Sequence, residues 1–313
     1  MNKENKNVNT PYDDVFRTLL NDCPRFIIAI INEAFGMTYS ENEIVIFHEN
    51  EKFLNQQDGQ QEKRITDSNF TIGGTGYHIE CQSWEDSSMI LRVWEYDAQI
   101  AKENAVWEDG MLEVSFPNTA VLYLRHTSKT PDYTVIKITV PGDSCSYKVP
   151  NIKVKNYNAD EIFEKNLYFL IPFHIFRFEN KLEKCETDEA ELEDMKQIYL
   201  YINEKLEECQ KEGMTLYERM TLQAMARKVI DQIARKYPNV KKGLGDIMGG
   251  KVLEYEAKIM LNKGKEEGKR EGEHRFAELV ARLLNDGLID ILEEVTTNLE
   301  LREQYYLKYG IVG

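Results

Sequence analysis

The feature that most limits how this chain can fold is a hairpin pattern between residues 65 and 82. Residues 65–72 are rich in β-forming side chains, residues 73–76 (Gly-Gly-Thr-Gly) follow as a turn, and residues 77–82 are β-rich again. Two such runs joined by a glycine-rich turn predict a pair of antiparallel strands. Because side chains alternate between the two faces of a sheet, each arm presents its polar residues together on one face.

The two arms of the predicted hairpin each carry a carboxylate, Asp67 and Glu80. With the tight turn at Gly74-Thr75, Glu80 lies diagonally opposite Asp67, and a register shifted by two residues places the two directly opposite. Adjacent carboxylates repel unless a proton or a metal ion neutralises them, and Mg²⁺ binds through one or two carboxylates and several waters. The pair therefore predicts a metal site suited to phosphodiester hydrolysis or, in the other interpretation, an exposed acidic face.

The segments around the hairpin predict a mixed α/β region over residues 1–158. Helices are expected from Thr10 as N-cap, at 26–35 before Gly36 and at 89–104, and strands at 44–47, 120–124, 134–140 and 147–154. From residue 159 onward the pattern is helical, at 159–178, 188–212, 215–237 and from 251 to the late 280s, with a break at 238–250. We therefore predict two domains, 1–158 and 159–313, the second a DNA-binding or oligomerisation arm.

The charge balance restricts how the chain can meet nucleic acid. With 54 acidic against 39 basic side chains, the net charge of −15 argues against sequence-independent electrostatic binding. Residues 219–242 are an exception, with seven basic side chains against one acid, Asp231. The nucleic-acid-binding candidates from this stretch are Arg227, Lys228, Arg235 and Lys236.

Several classes of protein are set aside by what the sequence lacks. The polar N-terminus has no apolar signal region, and the apolar runs fall far short of the ~20 residues of a membrane span. The five scattered cysteines have no Cys-x-x-Cys spacing and are typical of reduced thiols in the cytoplasm. No phosphate-binding glycine loop is present, so no nucleotide cofactor is expected. The expected location is cytoplasmic, without membrane association.

The order of these residues resembles the PD-(D/E)XK nuclease superfamily and, more narrowly, the family of recombination-promoting nucleases and transposases. The residues that carry the resemblance are 12–20 (Tyr-Asp-Asp-Val-Phe-Arg-Thr-Leu-Leu), 65–67 (Ile-Thr-Asp), 79–82 (Ile-Glu-Cys-Gln) and 89–96 (Met-Ile-Leu-Arg-Val-Trp-Glu-Tyr). The resemblance covers most of the first half of the chain, and the helical second half matches only in character.

The resemblance implies an α/β (α+β) restriction-endonuclease-like core, a mixed sheet flanked by helices, followed by an all-helical C-terminal region. It implies that Asp67, Glu80 and the backbone carbonyl of Cys81 hold Mg²⁺ or Mn²⁺. Gln82 stands where many members have lysine, and its amide orients a water or a phosphate oxygen. Asp14 is implied as an auxiliary acid on the first helix, the other interpretation being a carboxylate that complements the helix dipole.

The helix after the hairpin supplies two further candidates, Arg92 and Tyr96, which lie one turn apart on one stripe. Arg92 is expected to hold a phosphate or to pair with Glu80, or else to form an ordinary helix–sheet salt bridge beside a half-buried tyrosine. We interpret His78, which shares the face of Glu80, as a hydrogen-bonded structural histidine.

The predicted function is a metal-dependent DNA endonuclease that acts in recombination, transposition or defence against mobile elements. Its expected partners are DNA and a second copy of the chain as a homodimer. Two other functions remain open: a catalytically silent nuclease fold used as an interaction or regulatory module, and an assembly protein whose helical half oligomerises.

Overall fold

The computed structural model describes residues 11–48, 51–55, 61–65, 68–84 and 88–249, and parts of 275–311. Side chains are described throughout these ranges except in 51–55 and 61–65 and at Glu300. The chain divides into two compact units, Met1–Leu253 and Glu254–Gly313. The second unit has a small core of its own, formed by Leu279, Leu283, Val295, Tyr306 and Ile311, and contains the helix Leu299–Tyr309.

The first unit is built on a six-stranded mixed sheet, which confirms the expected α+β class. The strands are Val45–Phe47 (β1), Glu51–Asn55 (β2), Gln61–Ile65 (β3), Phe70–Ile72 (β4), Thr75–Gln82 (β5), Val106–Glu108 (β6), Met111–Glu113 (β7), Asn118–Tyr123 (β8), Tyr133–Val140 (β9) and Asp143–Lys153 (β10). The order in the main sheet is β1-β4-β5-β8-β10-β9, with β5, β8 and β10 parallel. The pairs β2-β3 and β6-β7 form separate two-stranded sheets.

Helices cover both faces of this sheet. They are Pro11–Asp22 (α1), Phe26–Phe35 (α2), Met89–Glu103 (α3), Ala159–Glu164 (α4), Leu182–Thr187 (α5), Glu189–Glu212 (α6), Leu216–Ile233 (α7) and Pro238–Ile247 (α8), with 3-10 segments at Val154–Asn156 and Tyr168–Lys181. The crossover from β5 to the parallel strand β8 runs through α3, as a parallel connection requires.

The alternation of side chains along β5 separates two layers of the core. Tyr77, Ile79 and Cys81 point into the large core that contains α1 and α2. On the opposite face, Val121 and Tyr123 of β8 pack with the first turns of α3 in a smaller cluster. His78, Glu80 and Gln82 alternate with the first set and therefore lie on the α3 face.

The helices after residue 159 share the large core with α1 and α2. Residues of α6, α7 and α8 belong to the same apolar cluster as the first two helices. An ion pair adds to this packing, since Arg25 Nη2, just before α2, donates to Glu218 Oε2 of α7 at 2.7 Å. The change from strands to helices at residue 159 therefore falls inside one compact unit, and the division between units comes after Leu253.

Most of the predicted elements are confirmed, and three are wrong. Residues 65–72 are not one hairpin arm, because Ile65 ends β3 and pairs with Glu51 of β2, while only Phe70–Ile72 pairs with β5. Residues 159–178 are not one helix, because α4 ends at Glu164 and a 3-10 segment that contains Pro172 follows. The predicted break at 238–250 is largely the helix α8, which begins at Pro238. Proline is compatible with the first turn of a helix, where its missing N–H has no intrahelical partner. The predicted helix from residue 251 lies largely outside the described residues.

None of the helices in the described part of the chain has the length and apolar character required to cross a lipid bilayer.

A buried histidine in the 3-10 segment predicts how stability responds to acid. His174 is 1% exposed, and its Nδ1 has no hydrogen-bond partner among the described residues. Burial, with a smaller contribution from Arg177, lowers the pKa of His174 from 6.5 to about 3. The unfolded chain therefore binds a proton below pH 6.5 that the folded chain does not, and stability falls as the pH drops from 6.5 towards 3.

Between pH 7.5 and pH 5.0 this proton should cost about 2 kcal/mol of stability. Urea denaturation of the wild type and of His174→Phe at both pH values measures the effect. The loss on acidification should be about 2 kcal/mol smaller in the variant, and equal losses in the two proteins would contradict the assignment.

Candidate active site

The described part of the hairpin fixes its register. Phe70 pairs with Tyr77 and Ile72 with Thr75, so the turn lies at Gly73-Gly74. The Ser68 hydroxyl continues the pairing, since it accepts from the Ile79 N–H at 2.9 Å and donates to the Ile79 carbonyl at 2.8 Å. Of the two registers that the sequence left open, the one that matches the pairing of Phe70 with Tyr77 is shifted by two residues from a turn at Gly74-Thr75, although the backbone pairing of β4 begins only at Phe70. Asp67 itself lies outside the described residues.

Glu80 is held by a buried hydrogen-bonded cluster on the α3 face of the sheet. Its side chain is almost fully buried, and Oε1 lies 2.9 Å from Nε2 of His78. The other ring nitrogen of His78, Nδ1, lies 2.7 Å from Asp97 Oδ1 on α3. The imidazole thus bridges a carboxylate of the sheet and a carboxylate of the helix, which confirms the interpretation of His78 as a hydrogen-bonded histidine.

Asp97 is the centre of this cluster. Besides the contact with His78, Thr119 Oγ1 donates to Oδ1 at 2.6 Å and Tyr147 Oη donates to Oδ2 at 3.1 Å. Asp97 is fully buried, so these donors replace the water that the carboxylate loses on folding. These hydrogen bonds connect helix α3 to strands β5, β8 and β10.

The two carboxylates keep His78 protonated at neutral pH. Burial is the largest influence on this ring and opposes its charge, but the hydrogen bonds and charges of Asp97 and Glu80 together outweigh it. They raise the pKa of His78 from 6.5 to about 9. Burial and the neighbouring Asp97 likewise raise the pKa of Tyr147, which therefore stays a hydrogen-bond donor.

Sequence reasoning missed Asp97. Its signal was present, because the apolar stripe of α3 that faces the sheet runs through Val93, Tyr96 and Ile100, and Asp97 lies within it. An acid inside a buried stripe requires partners, and His78 on the preceding strand was the polar residue available to it.

Arg92 and Tyr96 lie at the border between α3 and the sheet. Tyr96 is buried with its ring edge-on to His78, at 5.9 Å between centroids. Arg92 Nη2 is 3.0 Å from Met89 Sδ, and its Nε is buried with no hydrogen-bond partner among the described residues. Gln82 follows Glu80 on the same face, half-buried at the end of β5.

Three predicted site residues, Asp14, Arg227 and Lys228, form structural contacts away from the Glu80 cluster. Asp14 on α1 forms an ion pair with Lys228 of α7. Arg227 donates from Nη1 to the Gly245 carbonyl at 3.1 Å and to the Gly249 carbonyl, so it satisfies the C-terminal end of α8. Because α1 packs on the face opposite to α3, the structure does not bring Asp14 into the Glu80 cluster.

The C-terminal ends of β5 and β8 meet at Arg125. Its guanidinium contacts both carboxylate oxygens of Glu179, and Nη1 donates to the Ser83 carbonyl at 3.1 Å. It also lies 4.5 Å from the ring centroids of Trp84 and Phe176. Burial opposes its charge, but Glu179 outweighs this and raises the pKa of Arg125.

A basic cavity of about 260 Å³ opens beside Arg125. Arg235 and Lys236, both exposed, line it together with Tyr12 and Gln232. Two of the basic residues predicted to bind nucleic acid therefore share a cavity with a buried arginine that the sequence did not single out.

Replacing Arg125 by lysine should destabilise the first unit by about 2 kcal/mol, since lysine cannot reproduce the contact with both Glu179 oxygens or the guanidinium contacts with two aromatic rings. Arg235→Lys, at an exposed position, makes the same chemical change and should stay within about 0.5 kcal/mol of the wild type. Urea denaturation of the two variants measures the difference, and an equal midpoint for both would contradict this role of Arg125.

The described residues contain part of the metal-ligand set that the sequence predicts. Within the described part of the chain, no three His, Cys, Asp or Glu side chains form a group that could hold a metal ion. Glu80 and the Cys81 carbonyl are oxygen donors of the kind that Mg²⁺ prefers, and Asp67 is outside the described residues. No protein family, curated protein or solved structure matches this chain.

Proposed function

We propose that the chain is a metal-dependent DNA endonuclease that hydrolyses phosphodiester bonds at the Glu80 face of β5, in recombination, transposition or defence against mobile elements. The observation that carries the proposal is the support of Glu80. Its carboxylate is oriented by His78, and His78 is oriented by the fully buried Asp97. Carboxylates that bind metals are themselves typically fixed by such hydrogen bonds from the surrounding side chains.

In this proposal Glu80, Asp67 and the Cys81 carbonyl would hold Mg²⁺ or Mn²⁺, and the bound ion would supply an activated water and stabilise charge on the phosphate. Gln82 cannot accept a proton as a base would, and its amide orients the water or a phosphate oxygen. The half-buried Arg92 would contact a phosphate oxygen through its guanidinium.

The DNA strand in this proposal passes the C-terminal ends of β5 and β8. Arg235 and Lys236 lie in the basic cavity beside Arg125 and would contact the phosphates of the DNA strand. The surrounding protein is acidic, with a net charge of −15, so these contacts must be local. Affinity for DNA should therefore fall steeply with added salt.

The second candidate is a nuclease fold without catalysis, used as an interaction module. The specific observation in its favour is that Glu80 Oε1 already accepts a hydrogen bond from a protonated His78. Gln82 also favours this candidate, because many nucleases have a lysine at this position. The two candidates differ in whether Glu80 binds a divalent ion.

Calorimetric titration with Mn²⁺ distinguishes them. The wild type should bind Mn²⁺, and Glu80→Gln and Asp67→Asn, which remove one charge at nearly constant shape, should weaken binding at least about tenfold. Glu103→Gln makes the same change at an exposed position of α3 and should bind like the wild type. Absence of Mn²⁺ binding by the folded wild type would favour the interaction module.

A further inference from the structure

A second cavity lies on the same sheet face as Glu80, at the end of the parallel strands. Its volume is about 620 Å³, and its lining includes Trp84, Tyr123, Thr130 and Asn151. Tyr123 pairs with Gln82 across β8 and β5, which places the cavity next to the end of β5. Small-molecule sites in open α/β sheets occur preferentially at the carboxyl ends of parallel strands.

One wall of the cavity is an aromatic surface. Trp84 is 65% exposed, although indole rings are usually well buried in folded proteins. The Arg125 guanidinium lies 4.5 Å from the ring centroid of Trp84, and Arg125 is itself held by Glu179. The indole is therefore oriented from one side and remains largely accessible, as a stacking platform requires.

The other wall carries a fixed hydrogen-bond acceptor. Asn151 is 9% exposed, and its Nδ2 donates to the Pro131 carbonyl at 3.1 Å and to Thr134 Oγ1 at 3.2 Å. The carbonyl of Pro131 can only accept, so the amide group has one orientation. Its Oδ1 is buried with no hydrogen-bond partner among the described residues. A ligand with an N–H donor would satisfy this oxygen.

We propose that this cavity binds an unpaired nucleobase of a DNA strand, which stacks on Trp84 and donates a hydrogen bond to Asn151 Oδ1. Every nucleobase has a flat π face, and each carries an N–H donor. Arg125 lines both this cavity and the basic cavity, so the strand backbone continues from the base towards Arg235 and Lys236. This inference rests on the proposed function and specifies its substrate as DNA with unpaired bases.

The position of the cavity fits a base close to the scissile phosphate. Trp84 follows Glu80 by four residues, two of them beyond the end of β5, so the two Cα atoms are separated by at most roughly 13 Å. A base held there would fix the strand relative to the Glu80 face without contacting the reacting atoms.

The test is fluorescence anisotropy with a short labelled single strand, in EDTA so that no cleavage occurs. Trp84→Ala should weaken binding about 5- to 150-fold, the range expected for loss of one stacked base. Trp107→Ala removes a tryptophan of similar exposure (69%) from the β6-β7 hairpin and should bind like the wild type. A strand without bases should bind the wild type weakly, and Trp84→Ala should weaken its binding no further.

Equal binding of the single strand by Trp84→Ala and the wild type would overturn the inference, as would full-strength binding of the baseless strand. If a deoxynucleoside monophosphate competes as well as the single strand at the same concentration of bases, the cavity binds a free nucleotide instead. Because binding is measured without metal, base-dependent binding without nuclease activity would leave this site standing and remove the proposed function. Cleavage by Trp84→Ala at the wild-type rate would leave the proposed nuclease function standing and would remove the base-binding site.

Discussion

Replacing Asp97 by alanine should lower the free energy of unfolding by about 3 to 5 kcal/mol, the cost of removing one partner from a buried ion pair. The variant leaves the His78 imidazole without its Nδ1 partner and removes the acceptor for the Thr119 and Tyr147 hydroxyls. All of these groups lose water on folding and would have no replacement for it. Urea denaturation at neutral pH measures the loss.

Glu103→Ala is the matched control for Asp97. Glu103 is an exposed acid on the same helix, and its hydrogen bond with Gln99 is at the surface. Its replacement should change stability by less than about 0.5 kcal/mol. If Asp97→Ala and Glu103→Ala unfold at the same urea concentration, Asp97 does not anchor the cluster.

The second large effect concerns catalysis. Glu80→Gln should reduce metal-dependent DNA cleavage by at least about 100-fold, because a neutral amide does not bind or balance the divalent ion, a loss of roughly 3 kcal/mol. Glutamine keeps the shape of the side chain and an oxygen that can accept from His78 Nε2, so the cluster retains its hydrogen bond. Cleavage rates on a labelled DNA fragment at saturating Mg²⁺ measure the effect.

Glu103→Gln, the same chemical change on the surface of α3, should cleave at the rate of the wild type. Circular dichroism of both variants establishes that they are folded. Cleavage by Glu80→Gln within a few-fold of the wild-type rate would show that Glu80 is not a metal ligand.

The hairpin shows how far the sequence determines local structure. The alternation of polar and apolar residues along β5 was sufficient to predict that His78, Glu80 and Gln82 share a face. The register was open, because residues 73–76 offer several possible turns. In the structure Gly73 and Gly74 adopt positive φ values of 57° and 79°, the conformation that favours a tight two-residue hairpin turn.

Contacts between residues distant in the sequence could not be predicted from local sequence patterns. Asp97 and Tyr147 are 50 residues apart and meet because β10 adds to the sheet beside β8. Arg125 and Glu179 are 54 residues apart and meet because the 3-10 segment runs past the end of β8. No local propensity encodes such pairings, which depend on how the sheet and helices pack. The cavity between Trp84 and Asn151 has the same origin.

We propose that this chain cuts DNA with a divalent ion held at Asp67 and Glu80. The most direct test is nicking of a supercoiled plasmid by the wild type, in Mg²⁺, in Mn²⁺ and in EDTA, with Asp67→Ala and the shape-preserving Glu80→Gln beside it. We expect nicking with either metal, none in EDTA, and none by either variant although both remain folded. Nicking by Asp67→Ala at the wild-type rate, or no nicking by the folded wild type with any metal, would contradict it.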